Sequence, residues 1–447
     1  MLLERLGSFI AETQFSDLPP RVIDMAKVRL LDLLGAGLAG YRIGLYRPIL
    51  EVLNVGVGKS TVWGEGILVS TRDAAIINSF MAHSTYLEDG SRSTGGHPSS
   101  AVIPALLSLG ETHCVSGDKV ILGLVLGYEV FIRIGKAIYP STVTRGFQPT
   151  AILASLGAAG GCAKILNLSR EGCVHALAIG ANLGCGLKSA LNEPASQPIQ
   201  VGRSCEGGLV AAMLANRGLN GYPRILESYI DAHAEVADRD KILKNLGETY
   251  EIENTYLKIH AGCRGNHAPV DVVLKIVQDN RLSLEQIEEI RIGIASVTTA
   301  VEIPWPKNGR EAQFSIAFSI AAALIYGNAY LFQFTDEKVH DPVVRSFMKR
   351  VRVEIDPELD KLLPMKRRAT GEIILKDGRN YRCSLDFERG EPENPLTSEE
   401  IEAKFNFYAG EVLGKKTSQV IDSVYNLEKL KTINELTTLL KGEKKTN

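Results

Sequence analysis

The sequence has almost no net charge to offer a partner. Its 50 Lys and Arg stand against 52 Asp and Glu, a formal −2 over 447 residues. No basic domain stands out, which removes the electrostatic footprint of a nucleic-acid-binding protein. Long apolar runs are also missing. A membrane-spanning helix needs about 18–20 apolar residues; the longest candidate, Ile121 to Ile132, is shorter and contains Tyr128 and Glu129. Met1 to Gly7 lack the basic stretch, apolar core and cleavage site of a secretory signal. Cysteine is sparse and odd in number: seven residues (114, 162, 173, 185, 205, 263 and 383), mostly in apolar or glycine-rich surroundings. That pattern predicts reduced, buried thiols in a cytoplasmic protein, not a disulfide framework. Neither a repeat of fixed period nor a low-complexity linker is found. Lys441 to Asn447 read as a solvated tail.

What is present is enough chain for two cores. The first half reads as helices rich in Ala and Gly. Asp17-Leu-Pro-Pro20 opens an amphipathic helix, and helical spacing follows over 74–86, 100–111, 118–139, 149–166, 170–183 and 208–217. Small residues such as Gly157 to Gly161 let helices approach closely. After about residue 256 the pattern changes. Residues 290–294 and 351–355 alternate, and 372–375 and 381–385 flank Lys376-Asp-Gly-Arg379, a hairpin signal. Helical stretches are interleaved at 268–278, from the capping-box sequence Ser283 to Gln286, and at 312–326. Thr397 to Glu400 then caps a return to helices. The expected architecture is mainly α with an inserted α+β domain. Residues 1–255 and 390–447 build one all-helical domain from both chain ends, and 256–389 form a smaller domain with an antiparallel sheet. A cleft between two such domains is a natural substrate site.

The chemistry concentrates in Lys258-Ile-His260-Ala-Gly-Cys263-Arg264-Gly-Asn-His267, which runs into an apolar helical pattern opened by Pro269. Proline suits a first helical turn. The reactive side chains therefore fall on a loop and a helix start, where unsatisfied N–H groups and the dipole favour anions. A cationic, proton-transferring loop points to a small carboxylate substrate and acid–base chemistry. Zinc on His260, Cys263 and His267 is disfavoured by the spacing and by the adjacent Lys and Arg. No Cys–His–Asn signature makes Cys263 a nucleophile, and its plainer role is packing.

A second loop, Tyr86-Leu-Glu88-Asp89-Gly-Ser-Arg92 to His97-Pro98-Ser99, places two carboxylates, an Arg and a His after an apolar helix. His97 before Pro98 is expected in extended conformation with its imidazole projecting. By itself this stretch reads slightly better as a surface loop with a cap; beside the Lys258 loop the functional reading is favoured. Thr144 to Thr150, with Gln148, and Gln197 to Gly207, with Gln200 and Arg203, offer amide and guanidinium donors suited to carboxylates. Ordinary turn chemistry explains them as well. Gly56-Val-Gly-Lys-Ser60-Thr61 has Leu53 where a phosphate-binding loop needs glycine, and is read as a surface turn.

In this order these segments resemble the MmgE/PrpD family. The likeness runs over nearly the whole chain. It takes in Thr61-Val-Trp-Gly64, Asp73-Ala-Ala75 with Asn78, His97-Pro98-Ser99 and Arg145-Gly146-Phe147. It continues through Gly208 to Ala215, Lys258 to His267, Ala312 to Ser315, Gly390, Pro392, Pro395 and Lys404-Phe405. The resemblance implies a helical domain with an inserted lid domain, a homodimer, and catalysis without metal or organic cofactor on small di- and tricarboxylates. Members include 2-methylcitrate dehydratase, cis-aconitate decarboxylase and iminodisuccinate epimerase. His97 and Lys258 match positions implicated in catalysis or carboxylate binding. Cys263 falls where the decarboxylases have a His, Gln148 where many members have a His, Gln197 near a family Lys, and Phe318 at a Tyr. Tyr86 falls near the place of an expected carboxylate, with Glu88 and Asp89 shifted.

The expectation is therefore a metal-independent, dehydratase-like lyase. His97, Lys258, His260, Cys263 and His267 are its candidate acids and bases. Arg92, Arg203 and Arg264 are candidate carboxylate clamps; Tyr86, Glu88, Asp89, Gln148, Gln197 and Gln200 complete the substrate-binding set. An epimerase on the same scaffold, needing fewer acids, and a non-catalytic carboxylate-binding protein are the alternatives.

Overall fold

The computed structural model describes every residue except 54, 194, 300, 301, 364, 365 and 443–447, so most of the expected tail lies outside the described residues. Contacts divide the chain into a helical unit, Met1–Tyr256 with Thr397–Asn447, and a second unit, Leu257–Leu396. The fold is mainly α with a small α+β part. Among the described residues no helix is long and apolar enough to cross a membrane.

The helical unit packs on missing side chains. Helices Gly117–Ile138 and Pro149–Ile165 touch through glycine: a Cβ on Gly161 would lie 2.6 Å from the carbonyl oxygen of Gly123. Helix Ser196–Ala215 closes on Pro149–Ile165 in the same way, since a Cβ on Gly208 would meet the Ser155 oxygen at 2.3 Å. That helix begins twelve residues before the expected 208. Gly202, Gly207 and Pro198 lower its apparent propensity, but Gly202 and Gly207 also sit where neighbouring backbone leaves no room for a Cβ. Gln197, Gln200 and Arg203 are thus helical residues, not turn residues. Helix Thr71–His83 ends three residues before the predicted Tyr86, which takes a left-handed φ of 57°. The two chain ends meet in this unit: Lys404, on helix Ser398–Leu413, puts its Nζ 2.5 Å from Asp32 on helix Pro20–Ile43.

The second unit contains strands β1 (Ile287–Ile294), β2 (Val351–Ile355), β3 (Ala369–Leu375) and β4 (Asn380–Leu385), in sheet order β2-β1-β3-β4. The β3–β4 hairpin turns through Gly378 at φ 86°. The sheet is mixed, not purely antiparallel: β1 and β2 pair in parallel. A parallel pair needs a long crossover, and the intervening chain supplies one through helices Ile316–Tyr326 and Pro342–Met348. The capping box at Ser283 closes a single 3-10 turn, Leu284–Gln286, because the next residues alternate and join β1. Helix His267–Asn280 covers the sheet. A Cβ on Gly371 would lie 2.3 Å from Val272 of that helix. This unit starts and finishes at one corner: the Leu257 N–H donates to the Gly390 carbonyl at 2.9 Å.

Candidate active site

The sequence-predicted residues gather into two clusters, one in each unit. In the helical unit the loop 84–97 hangs between helices Thr71–His83 and Pro98–His113. His97 is the N-cap of the second helix, extended at φ −120° and ψ 91° with Pro98 at the first helical position. Its Nδ1 lies 2.6 Å from the Asp89 backbone oxygen. A carbonyl only accepts, so Nδ1 carries the hydrogen and Nε2 carries the lone pair of the neutral ring. Asp89 itself is fully buried and fixes the loop from below. Its carboxylate accepts the Ser99 N–H at 3.1 Å and the Tyr128 hydroxyl at 2.7 Å, and Arg29 stands 3.8 Å away. Burial pushes the Asp89 carboxyl up to about 6, against the pull of Arg29 and Ser99. Gly90–Ser91 then pairs with Thr255–Tyr256. By these contacts Asp89 anchors the loop.

Glu88 faces two imidazoles. Its Oε1 is 2.9 Å from Nδ1 of His83 and 3.7 Å from Nδ1 of His97, and the two rings meet edge-on at 5.6 Å between centroids. Both Glu88 and His83 have no exposed surface. The Ser100 hydroxyl lies 3.2 Å from His83 Nδ1 and donates to the His97 carbonyl at 3.2 Å. Beside them the Tyr86 hydroxyl donates to Oε1 of Gln197, both residues buried. That pair makes a neutral wall to the cluster.

In the second unit the Lys258 loop is stitched to the chain that precedes and follows helix Ile316–Tyr326. Ala261 N–H bonds Ala329, Cys263 N–H bonds Gln313, and the Asn266 amide reaches Gln313 and Ser319. Gly262 must be glycine: its φ is 102°, and a Cβ would fall 2.4 Å from the Gln313 oxygen. The helix then starts at His267, two residues before Pro269, which remains in the first turn. His260 Nε2 lies 2.8 Å from Oδ1 of Asp271, whose Oδ2 accepts the Arg389 N–H at 2.7 Å. A carboxylate on Nε2 leaves the lone pair on Nδ1, and that atom is buried with no hydrogen-bond partner among the described residues. The His267 ring packs edge-on against His260 at 5.4 Å. Lys258, His260 and His267 are all buried, and Cys263 is partly exposed.

Other predicted residues lie differently. Arg264 holds two carboxylates of its own unit, Glu388 at 2.8 Å and Glu391. Arg203 is more than half exposed and pairs with Glu206 at 2.9 Å. Gln148 caps helix Pro149–Ile165 by accepting the Ala151 N–H. Gln200 lies on helix Ser196–Ala215, and its buried Oε1 has no hydrogen-bond partner among the described residues. Arg92 is half-buried in the turn after Gly90–Ser91. Among the described residues no group of three or more His, Cys, Asp or Glu is arranged to hold a metal ion. Sequence reasoning missed His83, Ser100 and Asp271. Asp271 had a signal, since it follows His267 by four residues and so shares its helix face. His83 had none, because its partner Glu88 lies beyond the helix end.

The helical unit thus carries a pinned histidine, and the α+β unit carries a His–Asp pair and a buried lysine. The chain belongs to the MmgE/PrpD family: residues 4–235 match its N-terminal domain and residues 260–428 its C-terminal domain. Among its relatives are human cis-aconitate decarboxylase, 28% identical over 99% of this chain and 95% of its own length. The cis-aconitate decarboxylase-like protein of Aspergillus oryzae is 25% identical over 98% of this chain and 97% of its own. The cis-aconitate decarboxylase of Aspergillus terreus is 25% identical over 95% and 92%. These similarities make the chain an enzyme of the lyase type.

Proposed function

We propose that this enzyme acts on a small di- or tricarboxylate by taking a proton from the carbon next to a carboxylate, with its own side chains as acids and bases. The observation that carries the reading is His260. Asp271 fixes its tautomer at 2.8 Å, so the lone pair sits on Nδ1. When Nδ1 takes a proton, the ring becomes an imidazolium whose other hydrogen already points at a carboxylate, which stabilises the charge as it forms. Lys258, two residues away, supplies a cation of the sign needed to bind a carboxylate or the enolate-like charge that follows deprotonation. His97, held as the Nδ1–H tautomer, can exchange a proton through Nε2.

The relatives named for cis-aconitate, a tricarboxylate, support the substrate class. The details favour elimination over decarboxylation. Cys263 and Gln148 stand where the family resemblance implies histidines, and Gln148 spends its carbonyl on a helix cap. Loss of a β-leaving group such as hydroxyl from the deprotonated substrate needs one base and one acid, fewer groups than the full set of histidines the resemblance implies, and His260 is the candidate base.

The test is proton NMR in D₂O with a panel of di- and tricarboxylates that includes 2-methylcitrate, cis-aconitate and iminodisuccinate, with Lys258→Ala as control. Loss of a C–H signal together with a new alkene signal, absent with the control, is the expected result. Exchange without an alkene moves the reading to epimerisation. Binding without any exchange or turnover overturns it.

A further inference from the structure

Asp271 is held at both ends. Its Oδ1 meets Nε2 of His260 at 2.8 Å, and its Oδ2 accepts the Arg389 N–H at 2.7 Å. A carboxylate can rotate about its Cβ–Cγ bond, so a partner on the far oxygen fixes the plane that the near oxygen offers to the imidazole. The next residue does a parallel job for the lysine. The Gly390 carbonyl accepts the N–H of Leu257, which precedes Lys258, at 2.9 Å. Consecutive residues of one turn therefore grip the chain beside Lys258 and the carboxylate behind His260.

That turn is shaped by Asn394. In Gly390-Glu391-Pro392-Glu393-Asn394, Pro392 presets the first central position of a β-turn. The Asn394 N–H closes it on the Glu391 carbonyl at 2.9 Å, and the Asn394 carbonyl accepts the Gly390 N–H at 2.9 Å. The side chain reaches further back. Its Nδ2 donates to the Phe387 carbonyl at 3.1 Å, and its Oδ1 accepts Nη1 of Arg389 at 2.8 Å. Asparagine suits this place because one short side chain carries both a donor and an acceptor. Aspartate would keep an oxygen for Arg389 but set another against the Phe387 carbonyl.

We propose that Asn394 is a positioning residue: it holds the turn that presents the Arg389 N–H to Asp271 and the Gly390 carbonyl to Leu257, and so fixes where His260 and Lys258 stand. This rests on reading His260 and Lys258 as the reacting groups. Loosen the turn and both backbone contacts weaken together. Asp271 then turns more freely, and the imidazole loses the fixed partner that holds its hydrogen on Nε2.

The experiment follows three exchangeable protons by NMR in ¹⁵N-labelled protein: the ring Nε2–H of His260, assigned by its loss in His260→Gln, and the backbone amides of Leu257 and Arg389. In Asn394→Ala each should exchange with water about tenfold faster, and Asn394→Asp should move all three the same way. Val344→Ala, which hollows the buried face of helix Pro342–Met348, is the control for lost stability. It should lower the melting temperature and leave the three protons as they are. With a substrate in hand, kcat should fall about tenfold in Asn394→Ala, with a smaller change in KM. A folded Asn394→Ala whose three protons exchange at wild-type rates overturns the proposal. So does a Val344→Ala protein that speeds them equally, because stability alone then sets them. If Asn394→Ala does not fold, Asn394→Asp decides by the same criteria. The exchange measurement needs no substrate, so silence across the carboxylate panel removes the proposed function and leaves this assignment standing. An active enzyme with unmoved exchange in Asn394→Ala does the reverse.

Discussion

At the scale of single residues, chemistry here depends on which nitrogen holds the hydrogen. Asp271→Asn keeps the shape of the His260 pair but can present an N–H to Nε2, which moves the ring hydrogen to Nδ1 and removes the base. The expected loss in kcat is about 10²–10⁴-fold with little change in stability, checked by steady-state kinetics beside a thermal melt; an equally active variant would remove His260 from the mechanism. Lys258→Ala should likewise abolish most turnover, and the D₂O exchange assay reads it directly. Reactive residue types were legible in the sequence, because Lys, His and Cys rarely crowd into ten residues without reason. Their partners were not. Arg264 read as a clamp for substrate, yet Glu388 and Glu391, more than 120 positions later, occupy it. Glu88 and Asp89 read as one acidic pair, but one is an anchor tied to Ser99 and Tyr128 and the other faces two imidazoles.

At the scale of elements, periodicity located most of the long helices and every strand of the four-stranded sheet, since apolar spacing reports the face that packs. It failed where packing depends on the absence of a side chain. Ser196–Ala215 was half seen because glycines read as breakers when they are contact points. The consequence can be measured. Gly161→Ala would push a methyl toward the Gly123 oxygen, 2.6 Å from the added carbon, and should cost about 1–3 kcal/mol by overpacking, seen as a lowered melting temperature. Gly262→Ala adds a left-handed φ to a 2.4 Å clash with backbone. It should displace the Lys258 loop and reduce activity more than stability; unchanged kinetics would show that the loop's course does not matter. Pairing direction was also beyond the sequence: alternation gave β2 its faces but not its parallel neighbour.

At the scale of the whole molecule, buried charge sets the response to pH. Glu129 lies with Arg133 at 2.6 Å inside the helical unit, and Arg133 in turn holds the carbonyls of Lys244 and Thr249. Burial pushes the Glu129 carboxyl up to about 7, against Arg133. The folded state therefore keeps this proton to higher pH than the unfolded chain does. The advantage is full below the ordinary carboxylate range and is lost as pH rises toward about 7. Glu129→Gln breaks the pair and should melt lower at every pH, but the gap to wild type should narrow between about pH 5 and pH 7. A gap that widens over that range contradicts the assignment.

The corner at which the second unit begins and ends has a further meaning. Leu257 and Gly390 are hydrogen-bonded neighbours although 133 positions separate them, and Gly390, at φ 98°, has no room for a side chain against the Leu257 oxygen. A segment whose two seams touch behaves as a cassette. Its interior can lengthen, shorten or change composition while the seam stays put, and the remaining chain experiences none of that drift through its covalent connections. The residues that close the seam, Gly390 and the Arg264–Glu388–Glu391 cluster, are then the ones under constraint. A side chain inside the cassette can then change without moving the seam, which gives one scaffold a route to different reactions.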